Sequence, residues 1–236
     1  MKKRTLTLMV GLILFGCGSG TDNETATKET LIIGGLSGNE LAAKQVFTKN
    51  NGSDPGTLDP HRAEGVPASN VLRDLYEGLV SEAANGDYIP GVAESWNISG
   101  DGKTYRFTIR EGAVWSNGDR VVAEDFVFSL RRSVDPKTLS NYSSMLYPIK
   151  NARDVVLGKA PTDKLGVYAE GEKTLIIELE EPTPYFISLL THSTTYPVHP
   201  PTVKEHGHLF TRPENMVSNG AFTLKDWRIQ DYILLS

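Results

Sequence analysis

A single cysteine, Cys17, in 236 residues leaves no disulfide to form within the chain. No apolar run approaches the ~20 residues that a permanent membrane-spanning helix needs. Basic clusters are absent after Arg4: without Lys2, Lys3 and Arg4 the chain holds 21 basic against 29 acidic residues, a net charge of −8. That balance excludes the positive stripe by which proteins hold nucleic acid. Gly-x-Ser-x-Gly, His-Glu-x-x-His and paired Cys/His motifs are missing too, so neither a hydrolase nor a metalloenzyme is indicated.

What is there begins with MKKR and the apolar run TLTLMVGLILF, followed by Gly16-Cys17. A charged start and a short apolar run read as a secretory signal over residues 1–17. Leu14-Phe15-Gly16-Cys17 resembles the lipobox of bacterial lipoproteins, in which the cysteine thiol takes a diacylglyceryl group, although Phe15 is bulkier than the small residue usual there. Cys17 is therefore expected to be lipidated, anchoring an exported protein to its membrane in the periplasm or cell envelope. GSGTDNETATKET, residues 18–30, has no large apolar side chain and cannot bury enough surface to order itself. A flexible tether is expected over 18–39, with folding signals starting near Leu31 to Phe47.

Beyond the tether, short strands alternate with turns. WNIS, GDGK and TYRFTIR predict a hairpin that puts Tyr105, Phe107 and Ile109 on one face. VAEDFVFSLRRSV predicts a helix over 122–134, with acids early and arginines late, as the helix dipole favours. Residues 174–179 read as a strand, YFISLL as a short helix, and AFTLKDW and YILLS as two further strands. YILLS has two readings: a strand broken off mid-pattern, or an ordinary strand tucked into a sheet. Without a regular βαβ alternation the expected class is α+β, or irregular α/β.

LDPHRAEGVP, residues 58–67, gathers Asp59, His61 and Glu64. Chemistry would need groups held at fixed geometry, and Pro60 is expected to point Asp59 and His61 apart. A binding reading suits the stretch better: Gly65 lets a ligand backbone approach, and Pro67 biases Val66 toward extended geometry, like a sheet edge. An extended peptide could pair with that edge through main-chain hydrogen bonds. His206-Gly207-His208 reads as solvated surface, and His192 and His199 are given no role. No metal or cofactor is expected.

Residues 93–136 resemble the signature region of the bacterial family 5 solute-binding proteins, the peptide-, dipeptide- and nickel-binding receptors of ABC importers. The stretches at 49–79, 179–198 and 217–227 are similar to the oligopeptide receptors of that family in particular. The resemblance implies a periplasmic-binding-protein-like fold of type II, cluster C. It implies an incomplete first lobe at 40–76 and 200–236, a subdomain inserted at 77–199, and a missing second lobe. It implies peptide contact at Glu64, Gly65 and Val66, and at Tyr142 reaching from the subdomain; for Tyr142 loop packing is the alternative. The expected partners are an oligopeptide ligand, the ABC permease subunits and the membrane, with no nucleic acid and no catalysis. An inactive remnant or surface protein without a transport role, and a dipeptide or nickel receptor, are the competing readings.

Overall fold

The computed structural model describes residues 44–236, together with the backbone of two short strands, β1 (Ile32–Ile33) and β2 (Leu36–Ser37). The expected export signal at 1–17 with Cys17, and residues 18–31, 34–35 and 38–39 of the expected tether, lie outside the described residues. Two compact units emerge, Met1–Lys49 and Asn50–Ser236. In the first, β1 and β2 pair antiparallel, Ile32 opposite Ser37 and Ile33 opposite Leu36. Within the expected tether, 18–39, the described backbone is thus these two paired strands.

The second unit opens with helix α1 (Gly65–Leu75), which buries Ala68, Val71, Leu72 and Leu75 along one face. A two-stranded hairpin follows, β3 (Val80–Glu82) against β4 (Tyr88–Pro90). Next come β5 (Ala93–Ile98) and β6 (Thr104–Ile109), the hairpin expected from WNIS-GDGK-TYRFTIR, with Trp96 opposite Phe107 and Ile98 opposite Tyr105. Its turn is built by Asp101, whose carboxylate accepts from the Ser99 hydroxyl and the Lys103 N–H, and by Gly102 at φ +71°. Only glycine reaches that left-handed backbone without cost.

Helix α2 (Ala123–Val134) starts one residue later than the pattern predicts. Asp125 draws its first turn together: one carboxylate oxygen, Oδ2, accepts both the Val122 N–H and the Trp115 indole N–H, each at 3.0 Å. A short helix α3 (Ala152–Val156) leads to β7 (Val167–Glu170) and β8 (Thr174–Glu178). β5, β6, β8 and β7 form one antiparallel sheet in that order. Helix α2 packs on β7 and β8. Tyr105, Phe107, Ile109, Leu175 and Ile177 are all buried, as the period-2 alternation requires, and join Phe126 and Leu130 of α2 in one core. Burying each such side chain contributes roughly 1.5–3 kcal/mol.

The chain continues through α4 (Phe186–Leu189), α5 (Pro200–His206), and an antiparallel pair, β9 (Leu224–Arg228) and β10 (Tyr232–Leu235). Phe186 meets Tyr105 edge-on at 4.9 Å, so the helix expected in YFISLL closes over the hairpin. The strand read in YILLS is β10, paired to β9 with a bulge at Leu234–Leu235. The observed class is α+β. Helix α1 was not expected from the sequence. Its first turn contains Gly65 and Pro67, and tertiary packing of Leu72 and Leu75 outweighs their weak helix preference.

Candidate functional site

The stretch at 57–67 is held from within by a tight turn. The Asp59 carbonyl accepts from Arg62 and Ala63 N–H at 3.0 and 2.8 Å, and its carboxylate accepts the His61 N–H at 3.1 Å. The side chains of Asp59 and His61 are buried. They are not pointed apart by Pro60, contrary to expectation, because both reach the same residue of α2. Arg132 Nη1 donates to Asp59 Oδ1 at 2.8 Å and Nη2 donates to Oδ2 at 2.6 Å, a two-pronged pair. Nη1 also donates to His61 Nδ1 at 2.7 Å.

That contact settles the histidine tautomer, since arginine has donors only. His61 Nδ1 accepts, so Nε2 carries the proton and donates to the Tyr196 carbonyl at 3.0 Å. Burial, and then the Arg132 charge, push His61 down to about 4, so the ring is neutral at physiological pH. For Asp59, burial alone would raise the carboxyl, but the hydrogen bond and charge of Arg132 outweigh it and hold it below its ordinary value. Tyr76, buried beside them, is raised chiefly by burial and further by the Asp59 charge. The Arg132 guanidinium lies 5.3 Å from the centre of the Phe210 ring. The acid and histidine of LDPHRAEGVP are thus internal anchors, not reactive groups.

Three residues past His61, Glu64 is exposed and extended (φ −129°, ψ 150°). Gly65 then turns the chain at φ +75° and opens α1. Val66 is therefore in the first helical turn rather than extended, and it is 70% exposed. The physical reason is the packing of α1 through Leu72 and Leu75, which Pro67 does not obstruct: its fixed φ suits the first turn of a helix, and its missing N–H would have had no intrahelical partner there. The edge expected over 64–66 shrinks to Glu64 plus the exposed turn that follows it. Space above Gly65 is open, for an added Cβ would meet only Pro67 Cδ, at 3.7 Å.

Tyr142 lies on the loop after α2, half-buried, its ring edge-on to His192 at 4.9 Å. No hydrogen bond or ring contact joins it to residues 64–66. His192, given no role from sequence, accepts the Thr194 N–H and so orders the turn under Tyr142. His199 is likewise structural. Its two ring nitrogens lie 2.7 Å from the Thr202 hydroxyl and 3.0 Å from Asp119 Oδ2. His208 is exposed, and His206 lies 3.9 Å from Glu205. Among the described residues no group of three or more His, Cys, Asp or Glu is placed to hold a metal ion.

A separate cleft of about 770 Å³ is lined by Arg73, Glu77, Ser81, Arg110, Tyr196 and Asn219, among others. None of Glu64, Gly65, Val66 or Tyr142 lines it. Arg110 closes one wall by donating to Glu77 at 2.8 Å and to the Gly91 carbonyl at 2.6 Å.

Residues 87–236 match the family model of the bacterial extracellular solute-binding proteins, family 5, and the chain belongs to that family. Its members are solute-binding proteins, and the fold is of the periplasmic-binding-protein kind. Over 197 residues the chain is 47% identical to the periplasmic oligopeptide-binding protein of Escherichia coli K12, covering 83% of this chain and 36% of that relative. A second E. coli protein, a probable deoxycholate-binding periplasmic protein, is 45% identical over 195 residues, covering 82% of this chain and 36% of the relative. The crystal structure of the Haemophilus influenzae oligopeptide-binding protein with the peptide RPPGFSPFR superposes with a TM-score of 0.77 at 43% identity, covering 79% of this chain and 37% of that one. The chain thus spans little more than a third of the length of the relatives it matches.

Proposed function

We propose that this chain belongs to the peptide-binding component of an ABC-type oligopeptide importer and does no chemistry on its ligand. The observation that carries the reading is the family membership together with 47% identity to an oligopeptide-binding relative. The exposed Glu64, Gly65 and Val66, with open space above Gly65, suit a peptide backbone laid against them. Tyr142 supplies a second contact from the loop after α2. In this reading residues 40–76 and 200–236 are parts of one lobe and 77–199 an inserted subdomain. Residues 1–17 act as an export signal. Cys17 is the lipid anchor that holds the protein at the cell envelope, near the permease subunits that receive the peptide.

The test is calorimetry with tri- to pentapeptides on two proteins: the 236-residue chain, and a hybrid in which it replaces the matching segment of the E. coli oligopeptide-binding relative. A peptide site buries roughly 70–90% of its ligand only when both walls are present. The chain alone should therefore show no binding below about millimolar peptide, while the hybrid should bind at about micromolar or tighter. The 45% identity to a probable deoxycholate-binding protein favours a second reading, a bile-acid receptor. Deoxycholate binding by the hybrid, with no peptide binding, would decide for it.

A further inference from the structure

The proposed peptide contacts sit on different elements, Glu64 to Val66 at the start of α1 and Tyr142 on the loop after α2. One buried network reaches toward both. From the first side, Asp59 and His61 lie on the turn directly upstream of Glu64. Arg132 ties that turn to the last turn of α2, from which the chain runs on through a single 3₁₀ turn, Pro136–Thr138, toward Tyr142. His61 ties the same turn to the Tyr196 carbonyl. Tyr196 closes the short turn that His192 begins, and the His192 ring packs against Tyr142. Two routes, joined at the Arg132–His61 contact, therefore lead from residues 59–61 toward Tyr142.

We propose that Arg132 and His61 are positioning residues for ligand recognition, holding the turn at Glu64 to Val66 in fixed register with Tyr142; this rests on the peptide-binding reading above. The two-pronged Arg132–Asp59 pair is suited to the task because a planar fork fixes orientation as well as distance. Its anchor is sequestered: Asp59 is 5% and His61 1% exposed, so water cannot substitute for either partner. Facing His61 are Asp59 from its own turn, Arg132 from α2 and the Tyr196 carbonyl from the 192–196 turn. Tyr76, following α1, lies near Asp59 and Arg132, and Phe210 lies under the guanidinium. A proton added to His61 would remove the acceptor for Arg132 and set two cations side by side.

The experiment measures the distance between spin labels at two exposed positions, Arg62→Cys and Lys137→Cys, in the full chain carrying Cys17→Ser. At pH 7 the parent should give one narrow distance. Arg132→Lys keeps the charge but not the fork, and should broaden the distribution by more than about 1 Å, the looseness that separates a preorganised site from a poor one. His61→Gln retains an acceptor and a donor and should stay narrow, whereas His61→Phe should broaden. The parent should also broaden on acidification through about pH 4, where His61 gains its proton, while His61→Gln should not. Distances that stay narrow in Arg132→Lys and His61→Phe alike would overturn the proposal. If Arg132→Lys does not fold, the His61 pair decides alone, because neither variant leaves a buried charge unpaired by its own side chain. Peptide binding is read separately in the hybrid described above. Expected distances with no peptide binding would remove the peptide reading and leave the clamp, and the converse would remove the clamp.

Discussion

Asn219 and Glu77, 142 residues apart, are joined through both backbone groups of the glutamate: Asn219 Nδ2 donates to the Glu77 carbonyl at 2.9 Å, and Oδ1 accepts the Glu77 N–H at 3.1 Å. Next to it, Gly220 N–H donates to the Leu75 carbonyl and Phe222 N–H to Asp74. The end of α1 is thereby stitched to the segment before β9. Asn219→Ala leaves two backbone groups unpaired in a half-buried place and should cost about 1–3 kcal/mol, read from urea unfolding. Asn219→Asp should recover part of that, because its oxygen still accepts the Glu77 N–H.

Two glycines separate backbone strain from crowding. Gly65→Ala should cost about 1 kcal/mol, all of it from φ +75°, since its methyl meets only Pro67 Cδ. Gly220→Ala should cost more, up to about 3 kcal/mol, because a Cβ there lies 2.5 Å from the Leu75 carbonyl carbon and 2.6 Å from the Asp74 carbonyl oxygen. Equal losses at both sites would refute this distinction.

Phe126 is fully buried where α2 meets the sheet. Truncation to Ala should destabilise the protein by about 3–5 kcal/mol in denaturant melts. A loss under about 1 kcal/mol would mean that this face of α2 is not packed.

Acid should act first through His61. Its folded value of about 4 lies below its ordinary 6.5, so the unfolded chain binds the extra proton as pH falls from 6.5. Stability from this group is full above about pH 6.5 and is lost between 6.5 and about 4, amounting to about 3 kcal/mol at 1.36 kcal/mol per unit. Asp59, lowered, adds its own loss only as pH falls below its ordinary 3.8, and Asp125, raised, works in the opposite sense. The difference in unfolding free energy between parent and His61→Gln, taken at pH 7 and pH 4.5, isolates the histidine. A difference independent of pH would contradict a neutral His61 in the fold.

Cys17 is expected to be lipidated in a bacterial host. One acyl chain binds a membrane only marginally, so stable anchoring needs the diacylglyceryl group and a further chain. The parent should partition into the detergent phase and Cys17→Ser into the aqueous phase, and equal partitioning would refute the anchor.

Local pattern alone determined several elements. The β5–β6 hairpin follows from alternation around Asp101-Gly102, and α2 from apolar spacing with acids first and arginines last. Each depends on residues within one or two turns of one another, so chain-local physics suffices. Other features were decided only by the tertiary structure. α1 begins at Gly65 because Leu72 and Leu75 are buried by distant segments, which overrides what Pro67 predicts for Val66. Asp59, His61 and Arg132 converge across more than 70 residues, and no spacing rule connects a turn with the last turn of a remote helix. The identity of those side chains was legible from the start; that they share one buried pocket was not, because desolvation and charge pairing act between segments that only the folded chain brings together.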